Sequence, residues 1–302
     1  MRRARTVVLF AAVPVVITAA AYLLAPTDSA DAPGQPSVSA SQRALEEAKS
    51  RAEEEQAADD KAIAALPAGL SAPAKKELAQ QIVASAENST LDWRSAYGYI
   101  EDIGDGQGYT AGIIGFCTGT NDLLTLVERY TKAHPDNGLA RYLPALREVD
   151  GTDSHEGLDP GFTKAWKAEA EVAAFRKTQN EERDRVYFDP AVRLAKLDGL
   201  GTLGQFIYYD AMVFHGPGTN STSFYGLRER AIHEADPPSE DGSEKAYLDI
   251  FLDIREQAMR TRHGDIDTSR VDTAQRRFLY DGKLDLGTPL TWQVYGETFE
   301  VP

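Results

Sequence analysis

The chain is almost free of cysteine. Cys117 is the only one in 302 residues, so no disulfide can form within it. Histidine is scarce as well: the five, His134, His155, His215, His233 and His263, are scattered, and no Cys/His group has zinc-ligand spacing. There is no H-E-x-x-H pattern, no G-x-S-x-G elbow, no Walker loop and no Rossmann glycine fingerprint. Basic residues are outnumbered, 32 Lys and Arg against 47 Asp and Glu, for a net charge of -15 and a pI near 4.8. Such a surface cannot neutralise phosphates, which argues against a nucleic-acid partner. It suits a cationic partner, or serves solubility alone.

What is present is a globular domain behind a leader. Hydrophobic residues make up 42% of the chain, enough for a proper core. Met1 to Arg5 carries three arginines, and Thr6 to Ala25 is an uncharged apolar run of 20 residues. That order predicts a secretory signal over residues 1–32, with Ala30 to Ala32 offering a small-residue cleavage site. The run is also long enough to span a bilayer, so an uncleaved anchor facing outward is the alternative. Both place the remainder outside the cell. Residues 33–66 read as a linker. Its first part is rich in Pro, Ser, Ala and Gly, and Ser41 to Leu66 follows as a solvated helix or disordered spacer. Pro67 and Gly69 break it, and the folded domain is expected over 67–302.

That domain reads as mainly helical, an α+β fold of about nine helices with one small glycine-rich sheet. Pro73 suits a first helical turn, and Leu78, Ile82, Val83 and Ala86 follow at helical spacing, ending near Glu87 to Ser89. Tyr99 to Phe116 interleaves Ile, Tyr and Thr with glycines at 104, 106, 108, 112 and 115, which is strand-and-turn chemistry. Further helices are expected over Thr120 to Ala133 and Leu139 to Val149, then as one long stretch over Pro160 to Phe188. Leu200 to His215 is nearly all apolar and reads as a buried central helix. Thr222 to Glu234, Glu244 to Arg262 and Thr268 to Asp281 are also helical in pattern, and the last twenty residues read as coil or short strand.

Two carboxylates stand where chemistry is possible. Glu87 closes the Pro73 helix, and Asp105 lies between Gly104 and Gly106, which let the backbone turn tightly and present the side chain. Glycosidic cleavage needs an acid to protonate the leaving oxygen and a second carboxylate to activate water or attack carbon. Plainer roles stand beside this one. Glu at a helix end is usually a surface residue. Asp between glycines serves turns, or in other spacings calcium, although no EF-hand ligand set is present here.

The segments Ser85 to Trp93 (SAENSTLDW), Tyr99 to Thr110 (YIEDIGDGQGYT), Gly112 to Thr118 (GIIGFCT), Asn180 to Ala191 (NEERDRVYFDPA), Leu203 to Gly218 (LGQFIYYDAMVFHGPG) and Asp267 to Asp272 (DTSRVD) occur in this order. Together they closely resemble the chitosanases of glycoside hydrolase family 46, from about Leu70 to the C-terminus. The resemblance implies a two-lobed, lysozyme-like fold with substrate in the cleft between lobes. It implies endo-hydrolysis of β-1,4-linked glucosamine with inversion, needing no cofactor or metal. On the matching positions Glu87 is the general acid, Asp105 the general base, and Thr110 helps hold the attacking water. Arg270 is placed near Glu87, in a network with Asp210 and Arg255 that either orients the acid or is a purely structural ion-pair cluster. Asp122 matches a substrate-binding acid, with a helix-start role as its alternative. Tyr99, Tyr187, Gly115 and Ser89 are the other implied substrate contacts.

The expected partner is chitosan and its oligomers, met by a monomer, with membrane contact only if the leader is retained. The cationic polymer accounts for the acidic charge. Trp93, Trp166 and Trp292 read as packing residues, and Cys117 as a small buried hydrophobe. Gln107 stands where relatives often carry a basic residue, and Arg262 to Ile266 is less acidic than expected. Both put the cleavage pattern and the tolerance of acetylated units in question. The competing functions are a lysozyme-superfamily hydrolase acting on peptidoglycan or chitin, and a non-catalytic polysaccharide-binding protein.

Overall fold

The computed structural model describes residues 40–302. The expected signal segment and the start of the linker, residues 1–39, lie outside the described residues. The chain divides into two units between Ala65 and Leu66. In the first, α1 (Ala40–Ala64) is rich in Ala, Glu, Lys and Gln, strong helix formers that carry no apolar stripe. Its i,i+4 pairs, Lys49 with Glu53 and Arg51 with Glu47, are exposed and add little stability. No helix among the described residues is long and apolar enough to cross a membrane.

The second unit opens with α2 (Pro73–Asn88), whose proline occupies the first turn and whose inward face carries Leu78, Ile82, Val83 and Ala86. It stops at Ser89, which adopts the left-handed conformation, φ 50°, and caps the helix. A small antiparallel sheet follows in the order β1 (Ile100–Asp102), β2 (Tyr109–Ala111), β3 (Phe116–Cys117). Gly112 lies just past β2 at φ 76°. A Cβ there would meet Gln179 Oε1 at 2.6 Å and crowd the Phe116 and Trp166 rings, so only glycine fits. Packed on this sheet and on one another are α3 (Asp122–Ala133), α4 (Leu143–Val149), α5 (Phe162–Glu169) and α6 (Ala173–Arg183). Trp166 is the centre of that lobe, packing edge-on against Phe175 and donating its indole N–H to Tyr97 O.

The helical lobe is built from α2, α7 (Asp189–Leu197), α8 (Thr202–His215), α9 (Phe224–Glu234), α10 (Glu244–His263), α11 (Arg277–Tyr280) and a hairpin of β4 (Leu290–Val294) with β5 (Glu297–Val301). Residues Leu203 to Met212 of α8 are all buried, as its apolar composition requires. Each apolar side chain fully buried there contributes about 1.5–3 kcal/mol. Trp292 lies beneath the hairpin and donates to Ser85 Oγ of α2 at 2.9 Å. All three tryptophans are buried.

The mainly α, two-lobed fold expected from the sequence is present, with eleven α-helices among the described residues. One expectation needs correcting. Pro160 to Phe188 is not one long helix: α5 ends at Glu169, Val172 is extended, and α6 starts at Ala173. The break folds Phe175 back onto Trp166, 5.0 Å between ring centres, which a straight helix would not allow. After α6 the chain runs through a π-helical turn, Asp184–Phe188, into α7. The expected Thr268 to Asp281 helix likewise begins as a π-helix, Arg270–Arg276.

Candidate active site

The carboxylates come from different lobes. Glu87 sits in the last turn of α2, with its side chain 28% exposed. Its Oε1 is 2.8 Å from an Arg270 guanidinium nitrogen. Arg270 bonds Asp210 Oδ1 at 2.8 Å with its other terminal nitrogen, and Arg255 meets Asp210 Oδ2 at 2.7 Å. Gln275 completes the group, donating to Asp210 Oδ2 at 2.6 Å and accepting from Arg255 at 2.7 Å. Asp210, Arg255, Arg270 and Gln275 are all buried. The Phe214 ring lies against the Arg270 guanidinium, 4.7 Å to its centre. Each guanidinium is thus bonded to the Asp210 carboxylate, and such pairing is the condition under which buried ions are tolerated.

Burial alone would raise the Asp210 pKa. The guanidiniums of Arg270 and Arg255 outweigh it and hold the carboxyl well below the usual range. Asp210 therefore stays ionised and occupies one side of Arg270, so the cation does not face Glu87 alone. His215 lies close by and is also buried. Its Nδ1 is 2.9 Å from Thr222 O and so carries the proton, while burial and then the Arg255 charge push its pKa down to about 2. It is neutral throughout the ordinary pH range.

Asp105 is at the tip of the loop between β1 and β2. Its Oδ1 accepts the Gln107 backbone N–H and its Oδ2 the Gln107 side-chain amide, both at 3.0 Å. Gln107, singled out as a departure, is thus the residue that orients the loop carboxylate. The loop is tied at both stems. Asp102 accepts Gly104 N–H at 2.8 Å and has its other oxygen 3.3 Å from His155 Nε2. The His155 ring stacks on Tyr109, 3.9 Å between centroids, and Tyr109 donates to Asp159 at 2.8 Å. Gly108 is obligatory here: at φ 71°, a Cβ would fall 2.3 Å from Thr118 Oγ1, which itself accepts Tyr109 N–H.

Thr110 is central in the sheet, its hydroxyl 3.5 Å from Cys117 Sγ on β3. Gly115 abuts it, for a Cβ at Gly115 would lie 3.2 Å from the Thr110 methyl. Burial pushes the Cys117 thiol up to about 11, so it is no thiolate nucleophile. Asp122 opens α3. Its Oδ1 accepts Cys117 N–H, Leu123 N–H and the Thr120 hydroxyl, and its Oδ2 accepts the Tyr187 hydroxyl at 3.3 Å. Tyr187 is accordingly buried, while Tyr99 is half-buried with its hydroxyl turned to Glu101 at 3.5 Å. Ser89 is exposed two residues beyond Glu87.

Asp122 offers a pH test. Burial raises its carboxyl from 3.8 to about 6 against the four donors that lower it. A carboxyl raised in the folded state favours folding at low pH and loses that contribution as pH climbs through about 6. Asp122→Asn keeps Oδ1 and removes the charge. Its stability relative to wild type is expected to improve by about 2 kcal/mol between about pH 4 and pH 8. Urea denaturation of both proteins across that range checks it, and parallel curves would contradict it.

Sequence reasoning missed two participants. Gln275 lies five residues from Arg270, a spacing that faces one partner only because the segment is π-helical, and apolar periodicity does not signal that. His155 gave no signal, since its partners Asp102, Tyr109 and Asp159 lie on other segments or look like ordinary surface acids. A shallow hollow bordered by Asn137, Arg141, Lys164 and Glu169 includes none of the site residues. No group of His, Cys, Asp and Glu among the described residues has a metal-binding arrangement.

Comparison with known proteins identifies the family. Residues 81–290, from α2 to the start of β4, match the model for glycosyl hydrolase family 46. A chitosanase of Streptomyces sp. (strain N174) is 57% identical over 234 residues, 78% of this chain and 84% of that one. A chitosanase of Nocardioides sp. (strain N106) is 54% identical over 77% of this chain and 84% of its own. Among solved structures, chitosanase OU01 in co-crystals with substrate superposes with a TM-score of 0.77 at 51% identity, covering 78% of this chain and all of that one. A family match across most of the folded unit, together with relatives above half identity, shows that the chain belongs to glycoside hydrolase family 46.

Proposed function

We propose that the protein is a secreted endo-chitosanase that cleaves β-1,4 bonds between glucosamine units with inversion. The observation that carries this reading is the Glu87–Arg270 contact, held by a buried network on the helical lobe and complemented by an oriented carboxylate, Asp105, on the sheet lobe. The relatives at more than half identity are chitosanases, which supports the substrate.

In this mechanism Glu87 gives its proton to the glycosidic oxygen as the bond to the anomeric carbon breaks. A water on the opposite face, held by Asp105 and Thr110, attacks that carbon and gives a proton to Asp105. The new C–O bond replaces the old one with opposite configuration, and solvent exchange returns both carboxyls to their starting states. Such a displacement needs room for a water, about 6.5–9.5 Å between the carboxyls. Arg270 and Asp210 fix the Glu87 rotamer, and Gln107 fixes that of Asp105. The acidic surface draws in a polymer that bears an ammonium on each unit. Export through residues 1–32 would deliver the enzyme to it.

The purified chain is expected to cause a rapid fall in the viscosity of highly deacetylated chitosan, releasing short oligomers whose first-formed anomer, read by NMR, is α. Chitin and peptidoglycan should remain intact. Release of the β-anomer would refute inversion, and cleavage of peptidoglycan with chitosan untouched would refute the substrate.

A further inference from the structure

The hairpin at the end of the fold turns at Tyr295 and Gly296, with φ of 51° and 82°. Positive φ at both central residues is the turn that suits a two-residue hairpin, and Asn-Gly or Gly-Gly ordinarily fills it. A bulky aromatic pays a conformational cost there, and residues held so are concentrated at functional sites. Packing does not explain the ring. Trp292 and Phe299 fill the hairpin's inner side, stacked at 6.0 Å, while Tyr295 is 51% exposed.

The tip is held close to the acid. Tyr295 N–H donates to Ser269 Oγ at 3.1 Å, beside Arg270, and Gln293 N–H donates to Thr273 Oγ1 at 3.3 Å on the same π-helix. On the other side Trp292 is bonded to Ser85, two residues before Glu87. The hairpin therefore bridges the two elements that supply Arg270 and Glu87. Burial raises the Tyr295 phenol, and the charges of Arg270 and Glu87 act on it next, in opposite directions.

We infer that Tyr295 is a substrate-contacting residue, a rim on which a glucosamine unit adjoining the scissile bond rests. An aromatic face accepts the apolar C–H side of a sugar ring and attracts an ammonium beside it. This assignment rests on the proposed chitosanase activity.

Tyr295→Gly separates contact from turn geometry, because glycine adopts the required φ without strain. With a glucosamine hexamer, Tyr295→Gly is expected to raise KM about tenfold and shift the product lengths, with kcat within about threefold and Tm unchanged or higher. Tyr295→Phe, which keeps the ring, should stay close to wild type. If wild type cuts the hexamer and Tyr295→Gly matches its KM and products, the assignment is wrong. A fall in kcat and Tm at constant KM would equally overturn it, marking a turn residue only. If wild type leaves the hexamer uncut, the chitosanase reading itself falls, and this assignment with it.

Discussion

Glu87→Gln is expected to lower kcat on chitosan about a thousandfold, with KM and Tm close to wild type. Glutamine has the same shape and still offers Arg270 an oxygen acceptor, so the 2.8 Å contact survives and only the transferable proton is lost. Asp105→Asn should lose a similar factor, because an amide cannot take the proton of the attacking water. The two defects can be told apart. A glucosamine conjugate whose leaving group is already a stable anion needs no protonation. It should restore much of the rate to Glu87→Gln and none to Asp105→Asn. A loss below about tenfold in Glu87→Gln would mean that the acid lies elsewhere. Equal rescue of both variants would contradict the division of roles.

Asp210→Asn is expected to be the most damaging change for stability. It leaves Arg255 and Arg270 buried with no carboxylate between them, and an uncompensated buried charge costs about 3–5 kcal/mol. In a domain of this size that corresponds to a Tm lower by about 10 °C, readable by calorimetry. Activity should drop as well, since Arg270 would then have Glu87 as its only anionic partner in the cluster. Combining it with Arg255→Met should cost less than the two single changes added together, because the second removes a cation the first had stranded. Strict additivity would show that the network is not one electrostatic unit.

Much of the scaffold was legible because burial leaves a periodic imprint. The α2 and α3 stripes, the apolar run of α8 and the glycines around Asp105 all mark features that local rules describe. What escaped depends on contacts between distant segments. The break at Ala170–Val172 lies inside a helix-friendly, charged sequence, and only the Trp166–Phe175 packing explains it. The π-helical turns follow no apolar period. Within the site, the pairing of Glu87 with Arg270 was accessible through family resemblance and not through pattern. Asp122 and Tyr187 were each singled out, yet nothing local announced that they touch each other. Gln275 and His155 had neither motif nor period to mark them, for their significance comes entirely from what packs against them.

The span of the network also governs timing. Both carboxylates lie early in the folded unit, whereas the partner of Glu87 is Arg270, and the hairpin that closes over α2 joins residues 207 apart in sequence. Contacts of such separation form late, because a long loop must close before they are made. A growing or truncated chain that stops short of Arg270 has Glu87 and Asp105 but nothing to orient Glu87. Competence for the proposed reaction therefore waits on the segment from Arg270 through the hairpin, and fragments lacking it are expected to be inert.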